Sequence, residues 1–246
     1  MEPKYIVSAT LGATGGMLAI WGFLNTNQGY INLGLAGAFL GAVILTLKSS
    51  KYVKKETAEI LLESQKKLFN SILKNLKLEG RTLYIPPYEN LPKGGVFLPL
   101  HEDFEVDPAR FDEETLFITD VPQEKAMGLL LPSLGEALVE KYEEHLEGPL
   151  SSLPEVESAA SSVLRALGLA KRVYIEETER GIRIIVDPSF TCNPEICEKL
   201  PCPICASILR AAAKASEEII AVEKFEKKNY GIEIKAKKIG RVEEWM

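Results

Sequence analysis

The sequence predicts an α+β cytoplasmic domain, antiparallel sheets with helices, behind an N-terminal two-helix transmembrane hairpin. Three observations predict it. No charged residue occurs from Tyr5 to Leu47. Beyond Lys48 the chain turns strongly charged and breaks into short apolar runs separated by Pro, Gly and Asn, the punctuation of strands and turns. Helix-period stretches with capping residues alternate with those runs.

The apolar region comes first. A helix needs about 20 apolar residues to cross the hydrocarbon core. The runs 5–24 and 31–47 approach or reach that length, and Asn25-Thr26-Asn27-Gln28-Gly29 separates them as a polar turn. Lys4 precedes the first run, and Lys48, Lys51, Lys54 and Lys55 follow the second. The cation bias places both termini in the cytoplasm and the turn outside, in a multi-pass cell-membrane protein. Tyr5, Trp21 and Tyr30 fall near the expected interfaces. Gly12 with Gly16, and Gly37 with Gly41, keep the four-residue spacing that lets helices approach closely, within the hairpin or against a second copy. A cleaved signal peptide is not expected, because no small-x-small site precedes the turn and a second apolar run follows at once.

Residues 1–50 are therefore read as the transmembrane hairpin and 51–79 as a juxtamembrane amphipathic helix. Apolar positions Leu61, Leu62, Leu68, Phe69, Ile72, Leu73 and Leu76 recur at mostly helical intervals. From Lys48 to Leu78 the net charge is +5, against −11 over residues 79–246. Such a helix lies on an anionic membrane, pairs with a second copy, or packs on the globular domain.

An α+β subdomain is expected over 80–148, with strands at 82–85, 95–98, 115–119 and 127–131 and a helix opened by a Ser133/Glu136 capping box. A second subdomain is expected over 152–246 in the order α-β-β-α-β-β. Its first helix follows Ser152 and Glu155. Hairpins turn at Glu179-Arg180-Gly181 and Asn229-Tyr230-Gly231, and a helix spans 203–217 between them. A soluble part of roughly 195 residues is long enough for a full hydrophobic core. The abundance of Glu and Lys, with Gln only at 28, 65 and 123, is the composition of a thermophile.

All four cysteines lie within 14 residues: Cys192, Cys197, Cys202 and Cys205. Thiolates gathered on a loop that closes onto a helix start can ligate a metal, so zinc or an iron–sulfur cluster is a candidate cofactor. Cys202-Pro203-Ile204-Cys205 falls at the start of a helix, where amides and dipole favour thiolate. The spacing matches neither a ferredoxin nor a zinc ribbon. Disulfides or a redox pair, and inert buried thiols, therefore stand beside the metal reading.

The remaining polar clusters have plainer readings. His101-Glu102-Asp103 and His145 among its glutamates are solvated surface, and Lys93-Gly94-Gly95 is a turn before a strand. No nucleophile elbow, zinc-protease or dinucleotide motif is present, and the acidic body argues against nucleic acid. Phe190–Lys214, with its Cys-Pro-x-Cys helix start behind a membrane hairpin, resembles uncharacterised archaeal membrane-anchored proteins with a cysteine-bearing cytoplasmic domain. That resemblance implies no activity. The expected function is a membrane-tethered cytoplasmic binding or scaffold module without catalysis. Its expected partners are the bilayer and a second copy or another membrane protein. The alternatives are a redox or metal protein using the four cysteines, and a small-molecule sensor with a pocket among residues 81–150.

Overall fold

The computed structural model describes residues 3–46, 55–179, 181–190, 197, 199 and 202–246. The chain forms two compact units, Met1–Lys54 and Lys55–Met246.

The first unit is an antiparallel helical hairpin, α1 (Pro3–Leu24) and α2 (Gln28–Thr46). α2 begins three residues earlier than its apolar run suggests because Asn27 caps it. The Asn27 carbonyl Oδ1 accepts from the amides of Gly29 at 3.0 Å and Tyr30 at 3.3 Å, which otherwise lack partners in a helix's first turn. The two helices are long and apolar enough to cross a membrane.

Glycines set their contact. A Cβ added to Gly34 would lie 2.3 Å from the Ala19 backbone nitrogen, and one on Gly15 2.5 Å from that of Ala38. A Cβ on Gly22 or Gly41 would also crowd the facing backbone, at 2.6 Å from the Ile31 nitrogen and 2.9 Å from the Gly12 nitrogen. Ser8 adds a buried bond, its Oγ donating to the Gly41 carbonyl at 2.7 Å. Of the two spaced pairs singled out in the sequence, Gly37–Gly41 faces α1, whereas side chains on Gly12 and Gly16 would point into open space. The surface is inverted relative to a soluble protein: small residues are inside, and Met17, Ile20, Phe23, Leu24 and Phe39 are all more than three-fifths exposed.

The second unit is built on one eight-stranded antiparallel sheet, order β3-β4-β2-β1-β7-β8-β6-β5. Its strands are β1 (Leu83–Ile85), β2 (Gly95–Pro99), β3 (Phe117–Ile118), β4 (Gly128–Leu131), β5 (Ala170–Thr178), β6 (Gly181–Pro188), β7 (Ile220–Lys228) and β8 (Gly231–Lys238). The boundary expected at 148–152 therefore does not divide the sheet. Leu83 and Tyr84 of β1 pair with Ala221 and Ile220 of β7, joining the two expected subdomains edge to edge. Among the described residues of 152–246 the strands and the longer helices follow the order α-β-β-α-β-β, and the second strands of the two hairpins, β6 and β8, pair with each other. Arg180, in the first hairpin turn, lies outside the described residues.

Helices α4 (Glu136–Leu146), α5 (Leu153–Ala166) and α6 (Pro203–Ser216) bury Val139, Tyr142, Val156, Leu164, Ile208 and Leu209 against Tyr84, Val96, Ile184 and Ile234 of the sheet. β1, β2 and β4 are buried on their second face as well. There Leu83, Ile85, Phe97 and Leu130 meet Val106, Phe111 and Val242, with the Phe97 and Phe111 ring centroids 4.8 Å apart. This double burial makes β1 and β2 continuous apolar runs rather than alternating ones.

α3 (Lys55–Leu76) packs its C-terminal half on the helix-side core through Phe69, Ile72, Leu73 and Leu76. Ile60, Leu61 and Leu68 remain exposed.

Neither expected capping box forms. α4 starts behind Gly135, whose left-handed φ of +80° makes the turn. Ser133 serves it with its backbone carbonyl, which accepts from the Glu136 amide, while the Glu136 carboxylate is engaged by Lys93. Ser152 is the N-cap residue of α5 but makes no side-chain cap. Glu155 instead accepts from the amide and hydroxyl of Ser151, at 2.9 and 2.8 Å. These bonds, with weaker contributions from the amide and hydroxyl of Ser152, hold its carboxyl below its ordinary range.

The face of β5, β6, β8 and β7 away from the helices carries ion pairs. Arg183 donates to Glu233 at 2.9 Å and Glu176 at 3.2 Å, and Tyr230 donates to Glu233 at 2.8 Å. Lys224 and Lys228 grip Glu226 at 2.5 and 3.0 Å. Hydrogen bonds from these lysines take Glu226 down to about 2, and Arg183 and Tyr230 lower Glu233 from its ordinary 4.5. Both shifts favour the ionised, folded state. Their stabilisation is present above pH 4.5 and is lost as pH falls from there toward 2. The thermal midpoint of the full chain in detergent is therefore expected to drop over that interval, and Glu233→Gln to flatten the drop. An equally steep acid profile in the variant contradicts the assignment to Glu233.

Candidate functional site

The cysteine-bearing start of α6 is the richest chemical cluster in the second unit. Its position follows from the two-sided burial of β1. Leu83 and Ile85 point to one core, so Tyr84 between them points to the other, beneath α6. The same core holds Cys197, Cys202 and Cys205, all buried. Cys202 is the N-cap of α6, Pro203 follows at the first helical position, and Cys205 lies one turn in. The segment before the helix is tied to β1: the Thr82 hydroxyl donates to the Lys199 carbonyl, and Lys199 Nζ donates to the Glu79 carbonyl at 2.7 Å.

Two tyrosines approach the helix start with different outcomes. The Ser207 hydroxyl donates to the Ile204 carbonyl at 2.8 Å. The Tyr142 hydroxyl, 2.7 Å from Ser207 Oγ, is therefore the donor of that pair. Tyr84 is fully buried and its hydroxyl has no hydrogen-bond partner among the described residues, an omission that costs roughly 1–3 kcal/mol in a protein interior. Burial raises its pKa well above the ordinary value, and charge on Cys205, then Cys202, then Cys197, raises it further. The phenol thus stays protonated and is an unused donor among thiols. Nothing in the sequence distinguishes Tyr84 from the other seven tyrosines, because its neighbours on α6 are more than a hundred residues away.

Arg210, two turns into α6, is the other buried polar group with unusual partners. Its guanidinium donates to the backbone carbonyls of Leu134 at 3.1 Å, Lys93 at 2.6 Å and Gly94 at 3.2 Å, and to that of Pro132. Burial lowers its pKa, and among the described residues no carboxylate is hydrogen-bonded to it. It is a fastener between α6 and two turns. The sequence reading passed over it, since an arginine among alanines gives no signal of what it will meet.

The other sequence candidates fall on the surface. Lys93 pairs with Glu136 and with Glu140 at 3.4 Å, and Gly94 is a left-handed turn before β2. Asp103 pairs with Lys125, and His145 ends α4. The stretch read as a possible sensor pocket carries a shallow groove lined by Asn90, Arg110, Asp112, Thr115, Phe117 and Asp120. Asp112 is committed there to its own turn, accepting from Glu114 and Thr115. Cys192 lies outside the described residues. Among the described residues, no three His, Cys, Asp or Glu side chains converge as a metal-binding group.

A family model for a domain of unknown function, DUF7982, matches residues 5–229. The chain belongs to the DUF7982 family. The match runs from α1 through α6 to the end of β7, so the apolar hairpin, α3 and the sheet domain as far as β7 are parts of the DUF7982 architecture. No curated protein and no solved structure matches the chain. The family brings no activity to the cysteine cluster.

Proposed function

We propose that this DUF7982 protein is a membrane-tethered module. On this reading α1 and α2 cross the bilayer as a hairpin, and the α+β domain works in the cytoplasm as a binding or scaffold unit without catalysis of its own. The inverted hairpin carries the reading. Of the most apolar stretch of each helix, only 17% and 11% is buried, whereas a core helix of a soluble protein hides most of its apolar side chains. In lipid the same surface costs nothing, and glycine-mediated backbone approach is how membrane helices associate. The Ser8 bond to the Gly41 carbonyl satisfies the hydroxyl inside the hairpin, as a dry environment requires.

The family match supports the reading, because the hairpin and the domain are matched together. The cytoplasmic side rests on the lysines that flank the apolar runs and are absent from the connecting turn. The partners on this reading are the bilayer and, at the open Gly12–Gly16 face, a second copy or another membrane protein. Protease added to sealed inverted vesicles is expected to remove the domain and leave the hairpin. Protection of a C-terminal tag in those vesicles, with digestion in right-side-out ones, overturns the assigned side.

A further inference from the structure

The start of α6 carries a pair of cysteines whose chemistry does not depend on membrane anchoring. Cys202 and Cys205 stand three residues apart across the N-terminus of a 14-residue helix. Cys202 has the extended backbone of an N-cap and Cys205 lies in the first helical turn, so the two thiols flank one turn, and a disulfide between them needs their Cβ atoms roughly 3.5–4.5 Å apart. The pair is graded in access: Cys202 retains 9% exposure and Cys205 none. The first amides of α6 and its dipole favour a thiolate at the N-cap. The Tyr84 hydroxyl shares the core of the inner cysteine, fully buried, protonated and without a hydrogen-bond partner among the described residues. A thiolate is an acceptor, and an unpaired buried O–H is the donor that stabilises one.

We propose that Cys202 and Cys205 form a reversible dithiol–disulfide couple, with the Tyr84 hydroxyl as hydrogen-bond donor to the Cys205 thiolate. The oxidant is a low-molecular-weight disulfide. The Cys202 thiolate attacks one of its sulfurs, forming a mixed disulfide and releasing one thiolate. The Cys205 thiolate then attacks Cys202 Sγ, closing the protein disulfide and releasing the second thiolate. The two protons lost by the cysteines end on the two released thiols, and two electrons pass from the protein to the oxidant. Cys202 is the attacking residue because it is the less buried of the two. Cys205 resolves the mixed disulfide from inside, where the Tyr84 hydroxyl lowers the cost of its charge.

Full-length protein in detergent, equilibrated in glutathione buffers of graded potential and then alkylated, tests this by intact mass and peptide mapping. The expected result is one disulfide, mapped to Cys202–Cys205, with a defined midpoint. Tyr84→Phe, which removes only the unpaired hydroxyl, is expected to change the exchange equilibrium with glutathione by roughly tenfold, the worth of a hydrogen bond to a charged group. Failure to oxidise at any potential, or a disulfide mapped to Cys192 or Cys197, overturns the couple. An unchanged midpoint in Tyr84→Phe overturns the role of Tyr84. Cys202→Ser, at the less buried position, is expected to abolish the disulfide while the full chain keeps its wild-type melting profile.

Discussion

Replacing Arg210 with methionine is expected to destabilise the second unit by about 3–5 kcal/mol. Methionine keeps much of the apolar stem of the arginine, so the loss isolates the hydrogen bonds. The guanidinium serves the carbonyls of Lys93, Gly94, Pro132 and Leu134, and each buried carbonyl left without a donor costs roughly 1–3 kcal/mol before relaxation. Those four carbonyls lie on the turn before β2 and the turn leading into α4. Their release loosens two connections at once, and both β2 and α4 lose their seat on α6. Lysine is expected to recover only a small part, because one ammonium cannot span four acceptors as a planar fork does. Chemical denaturation of the full chain in detergent, followed by near-ultraviolet circular dichroism, reads the difference. A loss below about 1 kcal/mol, the net worth of one ordinary hydrogen bond, contradicts the fastening role.

Gly34→Ile is expected to break the packing of the hairpin, whereas Gly16→Ile is expected to leave it intact. The added Cβ at Gly34 begins 2.3 Å from the Ala19 nitrogen. The obstacle is helix backbone and cannot rotate aside, so α1 and α2 must separate. Overpacking of this kind costs typically about 1–3 kcal/mol, and here it also removes the Ser8–Gly41 bond. At Gly16 an added Cβ meets nothing within 4 Å. Spin labels on the outward-facing Met17 and Leu35, both more than half exposed, report helix separation. The distance between them is expected to lengthen and broaden in the first variant only. Equal distances in all three proteins contradict the contact.

Those two residues also show what the sequence made legible. The hairpin was readable from length and missing charge, which are local properties. Its interface was not, because Gly12, Gly15 and Gly16 look alike until the helix rotation is known. In the second unit, α5, the two hairpins and α6 were readable from caps, glycines and alternation. The joining of β1 to β7 was hidden, since it links residues separated by more than 130 positions and leaves no local pattern. The failed capping boxes at Ser133 and Ser152 have a similar origin. Motif and helix start were both present, but Glu136 was recruited by Lys93 and Glu155 by the preceding serine. The four-cysteine window located a chemically distinctive helix start, and only the fold brought Tyr84 beneath it.

The fate of the apolar hairpin decides most of this account. Full-length chain expressed in cells should sediment with the membranes, stay there through an alkaline carbonate wash and enter solution only with detergent. Chain that remains in the supernatant without detergent, folded and monomeric, contradicts a lipid-embedded hairpin and removes the basis for tethering.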